Sequence, residues 1–419
     1  MFTRKDAVVA LAACTLLAGA SLAKAETTPA LTLSPSVVHL DEAAPRGLLM
    51  QGMDKIGAGK TLDEYGINIY GWDQSGYEGN LRNNASSSSR PNPFTTEPGN
   101  HYQHNQLVLR VEKQVDLKKF DVGGMVELMF GTDSNYTQAN GMQIQTNGAK
   151  HLQDSDNVGE HNILDIPQAY IDIAIPVGNG LKVRAGKFVT LLSYETIAAP
   201  NNPFYTHSYV FNAVAFTHTG VLATYAFNDQ WAVTGGVTRG WNQSTEDNNG
   251  AVDFLGQAAW TPNKKLTALL NLSVGPQDNN DTSHYRTTIN PVISYKLTEK
   301  LTVAADALYT YDGGAAAPGY GDQWGAALYA GYELTDMFTL NGRGEMFHDD
   351  TSMISVTNTN VYEITAGVTI TPMPTNKYLK GLKIRPEIRY DYCEDKAFMA
   401  GNNSYHDNWT VGADLIMSF

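Results

Sequence analysis

Cysteine is nearly absent from this 419-residue chain, which holds two, Cys14 and Cys393. Cys14 lies in a segment expected to be removed, so no disulfide framework and no cysteine metal cluster is predicted. Basic residues are scarce as well: 29 Lys and Arg stand against 43 Asp and Glu, for a formal charge of −14. That balance argues against nucleic acid or anionic lipid as a partner. Past residue 25 no apolar run reaches the length of about 18 residues that a transmembrane helix requires. The motifs G-x-S-x-G and H-E-x-x-H are missing, which removes the nucleophile elbow and the zinc-protease helix. No catalytic residue, metal or cofactor is predicted.

What is present is apolar character cut into short alternating runs, although 42 % of residues are hydrophobic. The chain opens like a secretion signal. Arg4 and Lys5 precede the apolar stretch Ala7 to Ala20, and Ala23-Lys24-Ala25 is a small-x-small cleavage site. Residues 1–25 are therefore expected to be a signal peptide, with a mature start near Glu26. Leu11-Ala12-Ala13-Cys14 also fits a lipidation box, less well, because the apolar stretch before Cys14 is short and continues after it. Residues 26–62 contain Pro29, Pro35 and Pro45 and show no strand period. They read as a periplasmic lead-in or a small plug, with Leu48-Leu49-Met50 opening a short helix. Gly57-Ala58-Gly59-Lys60-Thr61 resembles a phosphate loop, but position 54 is Asp and no strand precedes it.

Residues 63–419 read as one barrel. Period-two patterning marks sixteen strand candidates: 64–73, 105–116, 119–132, 165–177, 180–189, 212–227, 230–241, 251–262, 264–275, 284–297, 300–311, 321–334, 337–348, 359–372, 380–393 and 407–419. Short connections at 177–179, 228–230, 262–264, 298–299 and 335–336 carry Gly, Asn, Asp or Pro, as tight turns require. The intervening ones are long: 74–104, 133–164, 190–211, 242–250, 276–283, 312–320, 349–358 and 394–406. Short turns on one side and long loops on the other are the asymmetry of outer-membrane barrels. The fold class is thus all-β: a transmembrane antiparallel up-and-down barrel of about sixteen strands. In the last strand Trp409, Val411, Ala413, Leu415, Met417 and Phe419 share one face. Asn408, Thr410, Gly412, Asp414 and Ser418 share the other, with Ile416 an exception. A terminal Phe419 on such a strand resembles the recognition signal of the outer-membrane insertion machinery. Aromatics near strand ends, among them Tyr70, Trp72, Tyr170, Trp231, Trp260 and Tyr390, suit two interfacial girdles.

A charged side chain facing lipid at mid-depth costs about 2–4 kcal/mol. Strand 380–393 puts Lys383, Arg385, Glu387, Arg389 and Asp391 on one face, so that face is expected to line a wet pore. The same logic turns Arg110, Glu112, Arg184, Arg286, Arg343 and Glu345 inward. The wall then reads as charged and mostly basic. These groups either line the pore or form inter-strand ion pairs that stiffen the barrel. Two loops are candidates for folding inward. Loop 133–164 brings Asp133, Asp154, Asp156 and Glu160; loop 190–211 brings Tyr194, Glu195, Asn202, Phe204, Tyr205 and His207. Acids on such a loop would face the basic wall and set a field across the constriction. Clusters such as Gln277-Asp278-Asn279-Asn280-Asp281 lack the spacing of a calcium loop and read as solvated tips.

These residues resemble a known family. Glu127-Leu128-Met129-Phe130-Gly131-Thr132-Asp133, Pro167-Gln168-Ala169-Tyr170, Gly186-Lys187-Phe188, Tyr194-Glu195, Asn202-Pro203-Phe204-Tyr205, His218-Thr219-Gly220-Val221 and Gly240-Trp241 follow one another as in the bacterial outer-membrane porins. More narrowly, they resemble the putative beta-barrel porin-2 (OmpL-like) family. Where that pattern has Gly before Tyr-Glu, this chain has Ser193; where it has Ser-Arg-Ser, this chain has Thr206-His207-Ser208. The replacement of Arg by His207 leaves the charge of the constriction open. The resemblance implies passive diffusion of small hydrophilic solutes and ions through a barrel in the bacterial outer membrane. Its partners would be lipid, the insertion machinery and small solutes, with a homotrimer common among sixteen-stranded porins. Other readings are a solute-selective channel with residues 26–62 as plug, an outer-membrane hydrolase, and a barrel displaying loop 74–104 for adhesion.

Overall fold

The computed structural model describes residues 46–81, 101–142, 162–314, 320–351, 358–400 and 403–419. The expected signal segment and the acids Asp154, Asp156 and Glu160 lie outside the described residues. Alternation produces the sheet. Its strands are β1 (Ile67–Asn80), β2 (His101–Lys113), β3 (Asp121–Gly131), β4 (Ile163–Ile175), β5 (Leu181–Val189) and β6 (Thr217–Ala226). They continue with β7 (Trp231–Thr238), β8 (Asp253–Asn263), β9 (Leu266–Gly275), β10 (Arg286–Lys296), β11 (Leu301–Gly313) and β12 (Tyr320–Thr335). The series ends with β13 (Phe338–Asp349), β14 (Thr359–Ile370), β15 (Leu382–Cys393), a small hairpin β16 (Phe398–Ala400) and β17 (Asn403–Tyr405), and β18 (Asp407–Ser418). Every neighbour pair is antiparallel. The ring of sixteen closes where β1 pairs with β18, from Trp72 opposite Ser418 to Asn80 opposite Thr410.

The sixteen expected strands are all present. On β18, Trp409, Val411 and Leu415 are exposed while Asn408, Thr410 and Asp414 are buried, so the apolar face is the outer one. Ile416 breaks the pattern because it packs inside against Trp72, Val108 and Ile197. The turns hold as their side chains predict. Asn228 Oδ1 accepts the amides of Gln230 and Trp231, and Thr298 Oγ1 accepts those of Lys300 and Leu301.

Two boundaries differ most from the expected ones. β1 runs on to Asn80, well past residue 73, because Gln74-Ser75-Gly76 continues pairing with both neighbours despite its polarity. The stretch 212–216 leaves the expected sixth strand. Ala213, Val214 and Ala215 are buried inside the barrel instead, after the short helix Tyr209–Asn212.

The chain enters through α1 (Leu48–Lys55) and α2 (Gly59–Glu64). Arg46 joins them, bonding Asp54 at 2.6 Å and Asp63 at 2.8 Å. Met50 is buried against β1, where its sulfur accepts the amide of Ile69 at 3.4 Å. The glycine-rich stretch at 57–61 therefore serves as a helix junction. Near Gly47, ahead of α1, Phe419 exchanges both backbone hydrogen bonds with Gly71.

The outward placement of Ile388, 42 % exposed on β15, gives a stability test. Ile388→Arg should lower folding stability in lipid vesicles by about 2–4 kcal/mol, read from urea unfolding. Ile388→Leu should be close to neutral.

Candidate functional site

The segment between β5 and β6, residues 190–216, folds into the barrel. Its contacts reach β13 and β15, half the ring away from where it leaves the sheet. A loop that leaves a sheet loses its ladder, so its N–H and C=O groups need other partners. Here the charged face of β15 supplies them in sequence. Lys383 Nζ donates to the Pro200 carbonyl at 3.0 Å. Arg385 donates to the carbonyls of Ala199 and Asn202. Glu387 accepts the amides of Tyr205 and Thr206 and the Thr206 hydroxyl. Arg389 donates to the His207 carbonyl at 2.6 Å, and Asp391 accepts the Tyr209 hydroxyl at 2.8 Å.

Neighbouring strands repeat the device. On β13, Glu345 accepts the amides of Tyr209 and Val210, both at 2.7 Å. Arg343 donates to the Thr206 carbonyl and to Glu195. On β11, Asp306 accepts the Ser193 hydroxyl and the Tyr194 amide. A row of amides leads away from it: Gln257 donates to Asn271, Asn271 to Asn290, and Asn290 to Asp306.

Ser193 explains the glycine of the family pattern. Its φ is 74°, in the left-handed region that glycine enters freely. Serine accepts the strain here while its hydroxyl and amide bind Asp306 and Asn290. Within the loop, Asn202 bonds both the amide and the carbonyl of Thr196. The Phe204 ring lies under the Arg343 guanidinium at 5.2 Å, and the Tyr205 hydroxyl reaches Asn105 at 3.0 Å. Gly76 makes room for that tyrosine; a Cβ there would meet its ring at 2.4 Å. The Tyr194 ring packs 4.7 Å from Tyr329. Tyr209, Val210, Val214 and Leu192 fill the space against Leu308, Phe347 and Val361 of the wall.

The fold and the inward loop now stand beside known proteins. The family model described as "putative beta-barrel porin-2, OmpL-like" matches residues 66–419. The chain belongs to this family. No curated protein sequence matches it. Among solved structures it is similar to the outer membrane channel DcaP of Acinetobacter baumannii (TM-score 0.56, 14 % identity, 84 % of this chain and 97 % of that one). It is also similar to an anion-selective porin from Comamonas acidovorans (0.54, 13 %, 84 % and 99 %). A third is OprB of Pseudomonas putida (0.56, 12 %, 87 % and 97 %). The porin is therefore an outer-membrane β-barrel, and family and fold point to a channel rather than an enzyme.

The inward arginines of this porin are paired. Arg110 bonds Glu127 at 2.7 Å and lies over the Trp72 ring. Arg184 bonds Asp172 through two nitrogens and lies 3.6 Å from the Tyr170 centroid. Arg286 bonds Asp312, Arg385 bonds Asp414, and Arg389 bonds Asp391. Arg343 bridges Glu195 and Glu363, both at 2.9 Å. Glu112 accepts the Tyr70 hydroxyl. The expected basic wall is thus neutralised by acids on adjacent strands and on the loop. Arg385 and Arg389, 2 % and 1 % exposed, hold the loop and do not face solvent. Inward groups that keep some exposure include Glu112, Arg184 and Lys383, already expected, and Lys182, Thr224 and Lys296.

Asp306, Asn290, Glu363 and Asp414 are site residues that the charge argument did not single out. Alternation puts each of them on the inner face of its strand, and that was the available signal. In loop 133–164 the described part also turns inward. Asp133 is buried beside Asn105 and Gln106, and burial pushes its carboxyl up to about 7. Asp278, Asp281 and His284 bring ligand atoms within 4.8 Å of one another at a part-exposed loop tip. Asp281 there caps the amide of Ser283.

Glu195 sits at the centre of the docked loop. It meets Arg343 at 2.9 Å, the Tyr329 hydroxyl at 2.9 Å and His207 Nδ1 at 2.6 Å. Burial alone would raise its pKa, but Arg343 and then His207 hold it at about 2. Burial pushes the His207 imidazole below its ordinary value against the pull of Glu195, and the ring stacks on Phe211. A carboxylate depressed from 4.5 to about 2 contributes stability that is full above 4.5 and lost as pH falls toward 2. Glu195→Gln should therefore be less stable than the native protein above pH 4.5, and the gap should close toward pH 2, as read from urea midpoints. Arg343→Met should cost more, about 3–5 kcal/mol, since it strands two buried carboxylates.

Proposed function

We propose that this barrel passes small hydrophilic solutes and ions by passive diffusion through a lumen narrowed by the loop 190–216. The observation that carries this reading is the loop itself, anchored on strands half the ring from its origin. A loop fixed there sets the bore, because polar solutes must pass between it and the wall left uncovered. The part-exposed inward groups Glu112, Lys182, Arg184, Lys296 and Lys383 line the polar approach on that reading.

A second reading has support of its own. The loop carries an apolar cluster across the lumen, with Tyr209, Val210 and Val214 against Leu308, Phe347 and Val361. Such a filling favours a narrow, solute-selective channel over a wide general pore. Partners follow from either reading: lipid around the apolar outer face, the insertion machinery at Phe419, and a homotrimer that cross-linking in the intact membrane would detect. Residues 1–25 act as a cleaved signal, which mass measurement of the mature protein would check.

Planar-bilayer recording separates these possibilities. Ohmic single-channel steps that no sugar, phosphate or amino acid saturates would support general diffusion. Saturation by one solute class would favour the selective channel, and absence of any conductance would remove both. Glu345→Ala and Glu387→Ala each release two loop amides. They should raise open-channel noise and conductance, whereas Ile388→Leu on the outer face should change neither.

A further inference from the structure

The charges gathered around the docked loop are unequal in number. Lys383, Arg343, Arg385 and Arg389 are its cations. Against them stand seven carboxylates. Four are ion-paired: Glu195, Glu363, Asp391 and Asp414. Three receive only neutral donors: Asp306, Glu345 and Glu387. His207 lies 2.6 Å from Glu195, and burial pushes its ring below its ordinary value.

The three unmatched acids have a shared chemistry. Each takes backbone amides of the loop, and Asp306 and Glu387 take hydroxyls as well. Amides and hydroxyls aimed at a carboxylate suit its ionised form, and they act here against neighbouring acids, Glu363 standing opposite Glu345 across β13 and β14. The excess of acid also survives a proton held on any one or two of the seven. Farther from the loop, several basic groups have acids of their own. Arg184 is matched by Asp172, Lys296 by Glu299, and Lys182 has Glu112 and Asp172 as its acid neighbours.

We infer that the narrow part of this channel prefers cations to anions. The preference comes from the unmatched acids Asp306, Glu345 and Glu387, which act as selectivity-determining residues through their field. They lie in a wall of low dielectric, where an uncompensated charge projects into the adjoining aqueous path and concentrates counter-ions there. The sign is opposite to the one that the count of arginines on the inner faces suggests, because every one of those arginines is spent on a partner. This inference rests on the porin reading, which supplies the path.

The experiment is the reversal potential of the full-length protein in a planar bilayer across a KCl gradient. The native channel should favour K⁺ over Cl⁻. Asp306→Asn and Glu345→Gln keep an acceptor oxygen for the loop amides. Each should lower the permeability ratio by about two-fold, the order expected of one unit charge across a partly screened aqueous lumen. Lys383→Gln should move the ratio the other way. The Ile388→Leu channel should match the native one. No conductance at all would defeat the porin reading. A conducting channel that prefers Cl⁻, or whose ratio is unmoved by Asp306→Asn, Glu345→Gln and Lys383→Gln, would overturn the inference alone.

Discussion

The structure depends on one constraint: a loop inside a closed barrel must find partners for backbone groups that no strand satisfies. The wall of this protein answers with charged side chains set two residues apart. Lys383, Arg385, Glu387 and Arg389 meet carbonyl, carbonyl, amide and carbonyl of the same loop in turn. A cation takes an acceptor and a carboxylate takes a donor, so the order of charges on β15 is complementary to the loop's path. Bonds to ionised groups are stronger than bonds between neutral ones. The loop's position is therefore fixed by electrostatics as well as by the apolar packing of Tyr209 and Val210.

The outer and inner faces obey different solvents, and that is why so much of the fold was legible. Lipid demands apolar groups at every second position, as the exposed Leu107, Leu109 and Val111 of β2 and Val126, Leu128 and Phe130 of β3 show. Strand number, the side of the long loops and the inward turn of Arg110, Arg184, Arg286, Arg343 and Arg385 all follow from that alternation. The stretch 212–216 departs from the expected strand for an instructive reason. A buried loop segment also needs apolar side chains, and without a lipid boundary Ala213-Val214-Ala215 looks the same in either setting.

The pairing of charges was not legible. Arg385 meets Asp414 and Arg343 meets Glu363 because β15 lies beside β18 and β13 beside β14, in one particular register. Alternation tells which face a residue takes but says nothing of what stands opposite. An inner face that looks basic along one strand is thus close to neutral, or acidic, once its neighbours are counted. Ser193 shows a similar limit. The substitution of glycine could be seen in the sequence, but the left-handed backbone that makes it informative could not.

The seam between β1 and β18 has a bearing on biogenesis. Trp72 to Asn80 find their second neighbour only in the final strand, and Gly71 finds its bonds in Phe419. Synthesis delivers one edge of the cylinder first and the other last. Until both are present, the polypeptide carries two bare β-edges, the surfaces most prone to wrong association.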